Sequence, residues 1–408
     1  MKMKKIYTDS IRQWSVLLMA LLLFTACSSG VREEAEQMLM SYINIYVYPE
    51  NAAVNSGATR ADEGTVAEIT NEDAIYDVQV WAFRSGADGT ATPIGYVAHP
   101  YSTTAITSGT PLRMPFYTSD IASADTRVDF YAVANVSALN STAQTTLSQG
   151  KALTKSALEA VLLTGNDFGT STPVHAVPAT GLPMSKIKMN QPITSSAGTL
   201  TVETQTISLR RAVSKLRLCV LRKSDQSNCQ LLSFDIKNGL IAANEYLFPN
   251  EGERAAHLSL TGTEATDYVN GFTYTATFDD SEPTAANYIP ASATPENFIY
   301  ENWRGANPSG TAQDYDTYLT NNTAQYGLTY LRETDKALTG TIYYSLDGGT
   351  TTESADFSME ESGDFVRNHS WVVLVLFEGG KVRVLQVVNI GIADWATGSD
   401  VGRSVHNW

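Results

Sequence analysis

The 408-residue chain carries 28 Lys and Arg against 43 Asp and Glu, a net charge of −15. A surface of that sign argues against nucleic acid and anionic membrane as partners, and solubility accounts for it without a specific cation. Charged residues make up only 17% of the chain, beside 20 Tyr, 28 Gly and abundant Thr and Ser, a balance that favours strands and turns over helices. With five His and three Cys at no zinc-ligand spacing, neither a metal site nor a cofactor is expected.

The N-terminus reads as an export signal. Lys2, Lys4, Lys5 and Arg12 precede the apolar run 16–24 (VLLMALLLF), which is shorter than the roughly 20 residues a membrane span needs. The run ends at Phe24-Thr25-Ala26-Cys27, small residues directly before a cysteine. A positive start, a short apolar stretch and a small-residue cut site describe a secretory signal. The cysteine makes this arrangement resemble the lipobox of bacterial lipoproteins. That resemblance implies removal of residues 1–26 and a diacylglyceryl (palmitate-bearing) lipid on the Cys27 sulfur. The remaining chain would then have 24 basic and 42 acidic residues, because the signal holds four Lys and Arg and one Asp.

Residues 28–39 are polar and read as a tether. Residues 41–48 (SYINIYVY) alternate, with Ile43, Ile45 and Val47 on one face and Tyr42, Asn44, Tyr46 and Tyr48 on the other, which predicts a strand. A loop-like stretch follows at 49–63 (PENAAVNSGATRADE). Strands are predicted at 75–83, 94–97 and 127–134. A helix is predicted over 151–163, with Leu153, Leu158, Val161 and Leu162 on one face. Further strands are expected at 199–209, 214–221, 231–237, 273–278, 339–346, 370–377 and 381–392. Asp347-Gly348-Gly349 and Glu378-Gly379-Gly380 read as hairpin turns, because Gly supplies positive φ. Residues 281–323 read as a long loop. The many short strands predict an all-β, mainly antiparallel fold of β-sandwich type, and the length suggests two domains divided near residue 210.

After Cys27 the remaining cysteines are Cys219 and Cys229, on either side of the polar segment 223–228. If runs 216–221 and 231–236 pair as a hairpin centred near Ser224, the two face each other at disulfide distance. Two unpaired thiols or a slipped register are the alternatives.

Catalytic signatures are lacking. No phosphate loop, dinucleotide fingerprint, zinc-protease helix or nucleophile elbow occurs. Ser148-Gln149-Gly150-Lys151 and Ser185-Lys186-Ile187-Lys188 match S-x-x-K without the partner elements that chemistry requires. No catalytic residue is assigned, and the chain is not expected to be an enzyme.

Several short patterns, taken in order, resemble a known family. They are Gly57-Ala58-Thr59-Arg60-Ala61-Asp62, residues 75–83 (IYDVQVWAF), residues 130–135 (FYAVAN), Leu182-Pro183-Met184-Ser185, residues 209–216 (LRRAVSKL), residues 367–371 (RNHSW) and the terminal His406-Asn407-Trp408. Behind a lipobox, this series is similar to the FimA/Mfa-type fimbrillins, the subunits of type V pili. The resemblance implies two transthyretin-like β-sandwich domains with a few short helices, over 41–210 and 211–408. It implies a cell-surface, outer-membrane lipoprotein precursor whose first strand (within 41–60) is removed by an Arg-specific extracellular protease cutting between Arg60 and Ala61. A strand from within 384–408 of another fimbrial subunit would then fill the groove by donor-strand exchange. Arg32 is a second candidate cut site. Stalk, tip and anchor roles all stay open, as do host or bacterial surface ligands. A monomeric surface lipoprotein that keeps its lipid and binds a glycan is the alternative.

Overall fold

The architecture follows from how the apolar strands find cover in a computed structural model of the chain. It describes residues 40–50, 72–107, 109–117, 127–164, 177–196, 199–201, 204–222, 229–249, 257–274, 324–358, 365–378, 381–390 and 403–404. The expected all-β character holds. In the first half run β1 (Met40–Pro49), β2 (Val78–Arg84), β3 (Gly95–His99), β4 (Leu112–Tyr117), β5 (Arg127–Ala134), β6 (Leu162–Leu163), β7 (Met184–Pro192), β8 (Thr194–Ser196), β9 (Thr199–Thr201) and β10 (Gln205–Arg211). Seven of these close into a barrel in the order β1-β10-β7-β5-β2-β3-β4. All its neighbouring pairs are antiparallel except β1 with β10, which run parallel.

The barrel interior is filled by alternate residues, among them Ile43, Ile45, Val80, Ala82, Met114, Phe116, Phe130, Ala132 and Leu209. The apolar runs of β2 and β5 have no polar face because they are covered on both sides. Trp81, Phe83, Tyr131 and Val133 point away from the barrel into a second cluster with Leu139, Leu147, Leu153, Leu158, Leu247 and Phe248. Part of that cover is helical: α1 (Ser141–Leu147) is capped by Asn140, whose side chain accepts from the Ala143 amide, and α2 (Lys155–Glu159) by Thr154, which accepts from Ala157. The Trp81 indole donates to the Gly150 carbonyl at 2.9 Å and ties this layer down.

The helix expected over 151–163 is therefore shorter. Residues 150–152 form a 3-10 turn, Thr154 starts α2, and Leu162–Leu163 is already strand β6. Leu153, Leu158 and Val161 are buried as the pattern requires, so burial was legible where the hydrogen-bonding pattern was not.

Asn135 explains why three of the sequence patterns belong together. Held at φ 58°, it accepts from the Tyr76 amide at 2.8 Å and donates to the carbonyls of Ala74 and Leu182 at 2.9 and 2.7 Å. Gly181, at φ +80°, lies so close that a Cβ there would come 2.3 Å from the Asn135 amide nitrogen.

The second half contains β11 (Ser214–Arg222), β12 (Gln230–Ile236), β13 (Glu245–Tyr246), helix α3 (Glu264–Asp267), β14 (Phe272–Tyr274), β15 (Ala324–Leu331), β16 (Thr339–Ser345), β17 (Glu353–Ser358), β18 (Ser370–Glu378), β19 (Lys381–Ile390) and β20 (Arg403–Ser404). They make a five-stranded sheet, β15-β11-β18-β19-β20, and a four-stranded one, β14-β12-β16-β17. One core lies between them: Leu216, Leu218, Trp371, Val373, Val375 and Phe377 meet Leu231, Phe234, Ile236, Ile342, Tyr344 and Phe357. Gly348 and Gly349, at φ +73° and +96°, turn β16 into its antiparallel partner β17 as expected.

The hairpin expected from runs 216–221 and 231–236 does not form. β11 pairs with β15 and β18, and β12 with β14 and β16, in the opposite sheet. Each run has an apolar face to bury, and facing one another across the core covers both faces, which pairing edge to edge would not. Cys229 is buried in that core, and the Cys219 side chain lies outside the described residues. The hairpin argument for a Cys219–Cys229 bridge therefore falls away.

Candidate functional site

β1 has an unusual seat. Ile43 and Ile45 are fully buried in the barrel while Tyr42 faces solvent, with the Arg113 guanidinium 3.9 Å above its ring. The faces are those the alternation predicts. Its ladder is divided: residues 40–45 pair with 117–112 of β4, and residues 45–49 pair with 205–209 of β10. Among the described residues, only Ile45 of β1 has a strand partner on both sides. Among the described residues the ladder with β4 ends at Leu112; just before it the Thr110 amide donates to the Thr107 carbonyl at 3.1 Å, with Gly109 at φ +85°. The second half of β1 is thus hydrogen-bonded as an edge strand is, on one side.

The end of β1 is clamped by charge. Glu50 accepts from Arg210 Nε at 2.7 Å and from Asn368 Nδ2 at 3.0 Å. Asn368 sits at φ 62° in the Arg-Asn-His-Ser-Trp segment, and its Oδ1 accepts from the Arg211 amide and Nη1.

At residue 72 the chain is pinned. Glu72 and Lys215 are both fully buried, with Lys215 Nζ 3.0 Å from each carboxylate oxygen and the Tyr330 hydroxyl donating to Glu72. Asp73 pairs with Arg211. The two ends of the stretch from 51 to 71 are therefore held differently: one by a half-ladder and surface-proximal charge, the other by a wholly buried ion pair. Arg60 and Ala61 lie within that stretch, outside the described residues, as does Cys27.

A second buried ionic cluster lies within the second half. Arg367 Nε donates to Glu333 at 2.7 Å, Nη2 donates to the Tyr246 carbonyl, and Glu245 lies 3.4 Å from Nη2. Burial pushes the Glu245 carboxyl up to about 8, with the Arg367 charge opposing and Glu333 adding to the shift. Burial alone would raise Glu333 too, but Arg367 and His257 outweigh it and hold it at about 2. Between the ordinary carboxyl value near 4.5 and 8, folded Glu245 keeps a proton that the unfolded chain has lost, so its contribution to stability falls as pH rises. Glu245→Gln, which mimics the neutral form, is expected to gain stability over the parent as pH rises from 5 to 8.5. Thermal melts of both proteins at the two pH values check this, and a constant difference contradicts it.

Arg210, Arg211, Lys215, Arg367 and Asn368 stand in segments singled out from the sequence, but their pairing with Glu50, Glu72, Asp73, Glu245 and Glu333 was not foreseen. A charged residue set in an apolar strand run, such as Lys215 in SKLRL, was the available signal. Segment 384–408, expected to hold a donor strand, is partly engaged within the chain: residues up to 390 belong to β19, paired with β18, and Arg403–Ser404 pairs with Val387 and Val388. The rest lies outside the described residues. Among the described residues no helix is long and apolar enough to cross a membrane.

No family model matches the chain, and no curated protein does. Solved structures similar to it include a Bacteroides eggerthii protein assigned a role in cell adhesion (14% identity over 83% of this chain and 86% of that one, TM-score 0.41). The fimbrial anchor protein Mfa2 from Porphyromonas gingivalis is similar at 8% identity over 86% of this chain and 98% of that one, TM-score 0.37. A fimbrial protein from Bacteroides vulgatus is similar at 12% identity over 85% and 98%, TM-score 0.36.

Proposed function

We propose that the chain is a subunit of a cell-surface fimbria, exported as a lipoprotein on Cys27, cut between Arg60 and Ala61, and polymerised by replacement of β1. The observation that carries this is the seat of β1: it fills the barrel core through Ile43 and Ile45 yet, among the described residues, has partners on both sides only at Ile45. Such a strand contributes an apolar face that the barrel needs, held by about half the ladder of a central strand. Losing it would uncover the core and the open edges of β4 and β10, which accept another strand by β-strand addition. A neighbour's C-terminal segment filling that place makes a head-to-tail contact that does not close, so it propagates.

Glu72 and Asp73 fit this reading because they keep the new N-terminal arm attached to Lys215 and Arg211 after a cut upstream. Glu50, by contrast, would leave with β1 and release Arg210 and Asn368. Cutting at Arg32 would free only the lipid and leave β1 seated. In this reading the chain is a structural, non-catalytic subunit of two β-domains of the transthyretin-like kind, meeting between Arg211 and Ser214.

Incubating the purified precursor with an Arg-specific protease is expected to release a fragment ending at Arg60 and to yield oligomers, while Arg60→Ala stays monomeric. Polymerisation of Arg60→Ala at the parent's rate would refute processing at this site.

A further inference from the structure

The core beneath β1 is not filled evenly. Ile43 and Ile45 are fully buried, whereas Val47, next on the same face, is only half-buried. Beside it lies a partly open cavity of about 40 Å³, lined by Val47, Pro49, Ile75, Val78, Ile106 and Leu112, with Asp73 at its rim. Its far wall is the Thr107–Thr110 turn, which stands where a continued β4 would have paired with β1. Missing ladder and missing side-chain volume thus coincide at one place, the second half of β1.

We infer that this cavity is an unfilled side-chain subsite, and that the strand replacing β1 carries a larger aliphatic residue in the register of Val47. The inference rests on the reading that β1 is replaceable, and it adds which position decides the exchange. Val47 leaves the resident strand underpacked, so it is the weaker of two competitors for one groove. The occupant is the C-terminal segment of a second copy of this chain. Twelve residues separate Ile390, the end of β19, from Arg403 of β20, against the ten of β1, and at about 3.3 Å per extended residue they can lie along the whole groove. They include Ile392, an aliphatic residue one methylene larger than Val47.

The cavity has room for roughly one more methylene, and a buried methylene changes an equilibrium about fourfold. The full-length precursor, its Val47→Leu variant and its Val47→Ala variant should be cut with an Arg-specific protease, and the rate at which the N-terminal fragment dissociates measured. Val47→Leu is expected to slow dissociation about fourfold, and Val47→Ala to speed it by a similar factor or more. A synthetic peptide of residues 40–49 carrying the Val47→Leu change is expected to displace the resident fragment about fourfold better than the native peptide. Equal rates for all three proteins, or slower loss from the Val47→Ala variant, overturn the subsite while leaving strand replacement intact. A fragment that never leaves the cut parent, even with excess peptide, overturns both.

Discussion

Replacing Lys215 with alanine is expected to destabilise the protein by about 3–5 kcal/mol, because it strands a fully buried carboxylate. Glu72 has no exposed surface, and its charge is balanced by Lys215 Nζ at 3.0 Å with help from the Tyr330 hydroxyl. Without the ammonium, Glu72 must stay charged in a low-dielectric site, take up a proton, or pull its segment out to water. All three are costly. The melting temperature should fall by roughly 6 °C or more. Pairing Lys215→Met with Glu72→Gln removes both charges and should restore most of the loss, since a buried ion pair is worth little net over a neutral replacement. A single-variant loss below about 1 kcal/mol would show that water reaches Glu72 and that the pair does not pin residue 72.

The second large effect concerns β1 itself. Ile45→Asp places a carboxylate at the fully buried position where β1 touches both of its neighbours, packed in the apolar cluster of the barrel. An unpaired charge in such a site costs several kcal/mol, and the half-ladder of β1 gives it little to set against that. The variant is expected to release β1 without proteolysis, become protease-sensitive before residue 60, and oligomerise uncut. Once the protease has acted, variant and parent subunits are identical from Ala61 onward, so polymers made after cutting should be indistinguishable. An uncut Ile45→Asp protein that stays monomeric, with residues 40–50 protected, would mean β1 is held by more than the groove.

Much of this was legible in the sequence, because alternation reports faces. It placed Ile43 and Ile45 inward, and the unbroken apolar stretches 80–83 of β2 and 130–134 of β5 are those covered on both sides. What alternation cannot report is which strand lies alongside. Runs 216–221 and 231–236 could pair as one hairpin by pattern alone, and they sit instead in facing sheets. The strand β4 escaped notice because Pro115 interrupts a short run (LRMPFY), and β7 because its residues past Met184 and Ser185 are largely polar and partly exposed. The helix α1 (STAQTTL) has poor intrinsic propensity and depends on its Asn140 cap and on burying Ala143 and Leu147. The ion pairs were hidden for another reason: Glu50, Glu72 and Asp73 sit in stretches whose composition matches any solvated loop, and their partners lie more than 130 residues away.

In the proposed processing, β1 and a lipid on Cys27 share one fate. If β1 is the strand that leaves, the lipid leaves with it and serves delivery; if β1 stays, the lipid is a permanent anchor. N-terminal sequencing of the protein recovered from assembled surface fibres decides between them most directly. The account predicts chains that begin at Ala61, and chains that begin at a blocked Cys27 throughout the fibre would contradict it.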